Sequence, residues 1–163
     1  MDCLDELQAK LKLPPISQIG IIVSDVQKAV GGYSRLFGVG PFTIYEFEPD
    51  RQWVSEKLYP GKVILGKSMW GNIELELIQP LGGETPHTEF LKKHGEGVQH
   101  FGFNVPNYDE MCNRFKSAGF EPIIRAESYV ETYKGYVKAC SFNTQSVSGI
   151  VFEILWKSWL VKS

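Results

Sequence analysis

Hydrophobic and polar residues alternate along much of this chain, and the alternation gives way twice to a helical period. Residues 16–23, IleSerGlnIleGlyIleIleVal, form a β-rich run stopped by Ser24-Asp25. Asp25 suits the N-cap of the next helix, in which Val26, Ala29, Val30, Tyr33 and Phe37 share one apolar face. Gly38 is its C-terminal stop. Strands are predicted near 42–48, 61–67 and 71–79. Thr85-Pro86 opens a short helix with proline at the first helical position; it buries Phe90 and Leu91 and ends at Gly95. From Val98 the pattern restarts with a strand to Val105, a helix over about 107–118, Gly119, and strands near 121–126, 135–143 and 149–156. At the N-terminus, Leu4, Leu7 and Leu11 have the spacing of a short amphipathic helix over 2–12, ended by Pro14-Pro15.

The restart is an internal repeat. Residues 18–23 align on 100–105, so that Gly20 falls on Gly102, Val23 on Val105 and Tyr33 on Phe115. Residues 73–78 align on 150–155, and the slip between the two shifts belongs in loops. Each copy reads strand–helix–strand–strand–strand. The chain divides into an N-terminal helical extension (1–13) and one domain (14–163). That domain comprises module one (about 14–83), a connecting helix (about 84–96) and module two (about 97–158).

The alignment singles out four polar residues. The first strand of each copy starts with one, Gln18 or His100, and the last strand of each has a carboxylate midway, Glu76 or Glu153. Strand alternation puts Gln18 on a face with Gly20 and Ile22, His100 with Gly102 and Asn104, and Glu76 with Glu74 and Ile78. Leu75 and Leu77 take the opposite, helix-packed face. A single glutamate in a strand ordinarily sits on a solvated face; matched placement in two copies is what raises these four above that. Two carboxylates, an imidazole and an amide oxygen form an N/O donor set suited to Zn²⁺, Ni²⁺, Co²⁺, Mn²⁺ or Fe²⁺.

Composition narrows the class further. The 163 residues fit one core, and a formal charge of -2 argues against a nucleic-acid binder. No apolar run reaches the roughly 20 residues of a membrane span, and the N-terminus lacks a secretory apolar region. Cys3, Cys112 and Cys140 are odd in number and widely spaced, which predicts reduced structural thiols in a cytoplasmic protein.

The segments GlnIleGlyIleIleValSerAsp, GluLeuGluLeuIleGlnProLeu, GlyValGlnHisPheGlyPheAsnVal and GlyIleValPheGluIleLeu resemble the vicinal oxygen chelate superfamily. Its members include glyoxalase I, methylmalonyl-CoA epimerase, extradiol dioxygenases and bleomycin-resistance proteins. The resemblance runs from Ile16 to about Trp156. It implies an α+β fold of tandem βαβββ modules, with curved mixed sheets around a central site, in a homodimer acting on a small molecule. The metal would be held by Gln18, Glu76, His100 and Glu153, with zinc or nickel foremost and cobalt or manganese as alternatives.

The order Gln, Glu, His, Glu is similar to the zinc site of eukaryotic-type glyoxalase I, and the glutamine disfavours dioxygenase chemistry. The resemblance therefore implies a metal-dependent lyase or isomerase related to lactoylglutathione lyase, moving a proton next to a carbonyl through an enediolate or enolate. Glu153 would be the base, and Glu76 a ligand or the opposing acid/base, with an apolar pocket raising carboxylate pKa values. Other features differ from glyoxalase I. Its glutathione-anchoring positions fall on Ile22, Pro80 and Glu96, while residues 80–100 look more like the connecting segment of the epimerase. The epimerase's second catalytic glutamate would land near Ile64, and its usual double His reads Gln99-His100 here. An acyl-CoA epimerase and a metal-free small-ligand binding module are the alternatives.

Phe47, Trp53, Tyr59, Trp70 and Tyr133 are candidate pocket walls. His87 and His94 flank the short helix, with His94 placed to favour its C-terminal dipole. Lys92 and Lys93 read as a solvated face.

Overall fold

The structure, a computed structural model, describes residues 11–161. Cys3 and most of the helix predicted over 2–12 lie outside the described residues. Leu11 and Leu13 pack against the second half of the molecule.

The first copy runs β1 (Gln18–Ile22), α1 (Val26–Phe37), β2 (Thr43–Phe47), β3 (Arg51–Val54), β4 (Lys57–Leu58), β5 (Val63–Trp70) and β6 (Ile73–Pro80). α2 (Pro86–His94) links it to the second copy, which runs β7 (Gly97–Asn104), α3 (Tyr108–Ser117), β8 (Pro122–Val130), β9 (Gly135–Phe142), α4 (Gln145–Ser148) and β10 (Val151–Lys157). The predicted caps form. Asp25 accepts from the Lys28 amide at 3.0 Å, and Gly38 is left-handed at φ 67°. Thr85 and Thr88 make a capping box ahead of α2. Among the described residues no helix is long and apolar enough to cross a membrane.

All strands join one ten-stranded sheet in the order β2-β5-β6-β1-β7-β10-β9-β8-β3-β4. The two copies meet at β1 and β7, which pair antiparallel, and each first strand lies parallel to its own copy's last strand. From that seam outward the first four strands follow the same order in both directions, so the repeat is a pseudo-two-fold, with β3 and β4 added beyond β8. One face of the sheet is apolar and carries α1 and α3. Val23, Val26, Leu75 and Leu77 pack with Ala29 and Val30 of α1, while Phe103, Met111, Phe115, Phe142 and Ile154 pack around α3. The other face is concave. One end of it is filled by Ile22, Leu65 and Ile78 against Phe90 and Leu91 of α2.

Two elements depart from the sequence expectation. The β3–β4 hairpin was not predicted, because its turn at Ser55 and Glu56 takes positive φ without a glycine or asparagine to signal it. It pairs with β8, on the opposite edge of the sheet from β2. The short α4 between Phe142 and Val151 was likewise not foreseen. The strands predicted at 61–67 and 71–79 shift to 63–70 and 73–80, with Gly71 in the turn at φ 64°.

Candidate metal centre

Gln18, Glu76, His100 and Glu153 come together on the concave face, from four adjacent strands of one chain. Across the seam Gln18 pairs with Gly102 and Gly20 with His100. Along each parallel pair, Gly20 lies beside Glu76 and Gly102 beside Glu153. The two glycines aligned by the repeat therefore make room for the polar groups. A Cβ on Gly20 would lie 2.0 Å from His100 Cε1, and one on Gly102 2.9 Å from Gln18 Oε1.

Three acceptor oxygens converge on His100 Nε2: Gln18 Oε1 at 3.2 Å, Glu153 Oε2 at 3.2 Å and Glu76 Oε2 at 3.6 Å. Donor atoms sharing one ion at about 2.1 Å lie roughly 3.0–3.4 Å apart, so Gln18 and Glu153 stand at that spacing from His100 and Glu76 a little beyond it. A proton on Nε2 can bond only one oxygen well; an ion at the centre serves all four groups.

Each of the four is also held from behind. Gln18 Nε2 donates to Glu74 Oε1 at 2.6 Å, and Lys67 Nζ sits 2.8 Å from Glu76 Oε1. Ser141 Oγ donates to Glu153 Oε1 at 3.1 Å. Gln99 Nε2 donates to the Pro86 carbonyl at 3.2 Å, which turns its Oε1 toward His87 Nδ1 (2.9 Å) and His100 Nδ1 (3.4 Å). That arrangement keeps a proton on His100 Nδ1 and aims Nε2 at the oxygens of Gln18, Glu76 and Glu153, the kind of outer-shell support that metal sites use. Strand register repeats the pseudo-two-fold here too, for Lys67 is paired with Glu76 and Ser141 with Glu153.

The electrostatics correct one expectation. Burial pushes the Glu153 carboxyl up, but the His100 imidazole and the Ser141 hydroxyl outweigh it and bring it down to about 2. Burial lowers His100, while Glu153 and Glu76 overcome that and raise it. Glu74, also opposed by burial, is lowered to about 2 by Lys67 and Lys157. The apolar surroundings therefore do not by themselves make Glu153 a strong base.

Sequence reasoning missed much of the surrounding wall. Lys67 (side chain 11% exposed) and Lys157 (3%) line the cavity, with Glu74 between them at 3.6 Å and 2.8 Å. His87 lines it as well. Burial and the neighbouring His100 keep its pKa low, and its Nδ1 is spent on Gln99. The signal for the lysines was available in strand parity: Lys67 faces Glu76, and Lys157 lies four residues beyond Glu153 on the same face.

Of the predicted aromatic walls, Phe47 lines the cavity, together with Tyr45 and Trp159. Tyr133 backs them, stacked on Trp159 at 4.8 Å. Trp53, Tyr59 and Trp70 are not in the wall. Trp53 is held between Arg51 and Arg125, the Tyr59 hydroxyl accepts from the Glu84 amide, and Trp70 is exposed beside Tyr33. Ile64 packs on the helical face, so the residue opposite Glu76 is Lys67 rather than a second carboxylate. Ile22 is fully buried, and Glu96 accepts from the Ser24 amide and hydroxyl outside the cavity. Cys112 and Cys140 are free and buried.

Residues 17–138 match the sequence pattern of the Glyoxalase/Bleomycin resistance protein/Dioxygenase superfamily, and the chain belongs to that superfamily. Its fold is similar to that of methylmalonyl-CoA epimerase from Mycobacterium tuberculosis (TM-score 0.60, 20% identity, 91% of this chain and 94% of that one). A Streptomyces coelicolor methylmalonyl-CoA epimerase superposes with a TM-score of 0.64 at 21% identity, over 93% and 99% of the two chains. The hypothetical protein BH1468 from Bacillus halodurans C-125 does so with 0.63 at 19%, over 91% and 97%. In sequence, 88 residues are 27% identical to the uncharacterized protein YqjC of Bacillus subtilis (strain 168), covering 54% of this chain and 55% of that protein. The match thus spans about half the length of that relative.

Proposed function

We propose that this protein is a metal-dependent isomerase or lyase that moves a proton on the carbon next to a substrate carbonyl. The observation that carries the reading is the convergence of Gln18, Glu76 and Glu153 oxygens on His100 Nε2, each ligand braced by a second residue. A divalent ion bound there would polarise the substrate's carbonyl oxygens and make the neighbouring proton easier to remove. Gln18 and His100 act as its fixed holders, by virtue of the Glu74 and Gln99 contacts. Glu153 takes the proton. It would do so as it loosens from the ion, because a carboxylate still bound to a dication is held ionised and weakly basic. Glu76 is the opposing ligand or acid, and Lys67 balances its charge.

Among reactions of this class, epimerisation of an α-substituted acyl thioester is a second reading beside a glyoxalase-type lyase. It is favoured by the absence of a cation at Ile22, Pro80 or Glu96 to meet a glutathione carboxylate, and by the epimerases among the similar folds. Titration with Ni²⁺ or Zn²⁺ is expected to give one tight site per chain, lost in His100→Ala and weakened in Glu153→Gln. The loaded protein should then exchange the α-proton of a substrate with solvent deuterium in a panel of acyl-CoA thioesters and hemithioacetals. Absence of stoichiometric binding, or binding indifferent to both substitutions, sinks the reading.

A further inference from the structure

The buried charge around the cavity does not balance once a metal is bound. Three carboxylates, Glu74, Glu76 and Glu153, surround it with two ammonium groups, Lys67 and Lys157. Lys62 at the mouth is already paired with Glu46 at 2.6 Å and adds nothing. With a divalent ion and a neutral His100, one positive charge is left over in a water-poor pocket, where an unpaired charge is costly.

The place where that excess acts is defined. Lys67 and Lys157 both line the cavity, whereas their shared partner Glu74 lies behind the wall. Each ammonium has three donors. Among the described residues, Lys157 meets a single carboxylate oxygen, Glu74 Oε1, and the closest for Lys67 is Glu76 Oε1. The remaining donors belong to groups that face the cavity. Beside them the wall is apolar, built from Leu65, Ile124, Val137, Leu155 and Trp159. Resting on the metal-site reading above, we infer that the substrate is a carboxylic acid with an apolar body, its carboxylate held by Lys67 and Lys157 while its reactive carbonyl faces the four-residue centre.

The test uses benzoate and its neutral isostere benzamide, titrated into the full-length, Ni²⁺-loaded protein by calorimetry or ligand-observed NMR. Benzoate is expected to bind at least tenfold more tightly than benzamide, and tenfold less tightly to Lys157→Met. Because removing one lysine alone leaves Glu74 short of a partner, the charge-neutral double variant Lys157→Met/Glu74→Gln is measured alongside and is expected to lose benzoate equally. Glu74→Gln alone should bind benzoate more tightly than the parent. Equal binding of benzoate and benzamide, or benzoate binding unchanged in both lysine variants, overturns the inference while metal binding stands. Failure of Ni²⁺ itself to bind overturns the underlying reading and this inference with it.

Discussion

Gly20 stands opposite His100 across the β1–β7 seam, and the imidazole occupies the space that any side chain at position 20 would fill. A Cβ there would meet three ring atoms at 2.0–2.4 Å. Gly20→Ala is therefore expected to displace the ring, weakening Ni²⁺ binding at least tenfold and costing about 1–3 kcal/mol of stability through overpacking. Gly102→Ala meets Leu155 Cδ1 at 2.8 Å and Gln18 Cβ and Oε1 at 2.9 Å, all less close than the ring atoms at Gly20, and should do less. Calorimetric titration and urea unfolding of the two variants check the order; the reverse order would contradict the steric account.

Gln99 sets the orientation of two imidazoles without itself facing the metal position. Gln99→Leu keeps the volume and removes the acceptor shared by His87 Nδ1 and His100 Nδ1. Metal affinity is expected to fall by about 10–100-fold, the usual range for a lost outer-shell partner, with the circular dichroism of the sheet unchanged. Unchanged affinity in a folded variant would show that His100 needs no such support.

The convergence of Gln18, Glu76, His100 and Glu153 could be read from the chain because they sit at equivalent points of a repeat whose elements have clear punctuation: Asp25 and Gly38 around one helix, Thr85-Pro86 and Gly95 around another. Their neighbours could not be read the same way. Lys67 and Lys157 have ordinary surface chemistry and no lysine counterparts in the repeat, so only strand parity with Glu76 and Glu153 marks them. The hairpin at Arg51–Leu58 escaped notice because Ser55-Glu56 is not turn-forming chemistry, and its partner β8 is remote in sequence. Trp53 was misjudged for the same reason, since Arg125, which covers it, lies on that remote strand.

Glu96 supplies a pH test away from the metal position. The Ser24 hydroxyl and amide hold its carboxyl below the ordinary value of 4.5. A depressed carboxylate contributes its stabilisation above the unfolded-state pKa and loses it as pH falls through the folded one. The Ser24 amide resonance should accordingly titrate with a midpoint below 4.5, and Glu96→Gln should abolish that titration. A midpoint at or above the ordinary value would mean that the contact does not persist in solution.

Phe142 is completely buried and stacks on Phe115 with ring centroids 4.7 Å apart, in the core beneath α3. Phe142→Ala should cost about 3–5 kcal/mol, as large-to-small changes of buried aromatics do. Urea unfolding measures it. A loss below about 1 kcal/mol would mean that the core around α3 collapses to refill the space.

The segment 48–50 joins β2, at one edge of the sheet, to β3, beyond the other. Asp50 fastens it there, its amide donating to Ser128 Oγ at 3.2 Å and its carboxylate accepting from the Tyr129 amide at 2.9 Å. A strap of three residues therefore ties the outer rim of the first copy to the outer rim of the second, in addition to the seam at their centre. Two copies of one module are thereby joined at their rims as well as at their seam, and neither half retains a complete edge when cut from its twin.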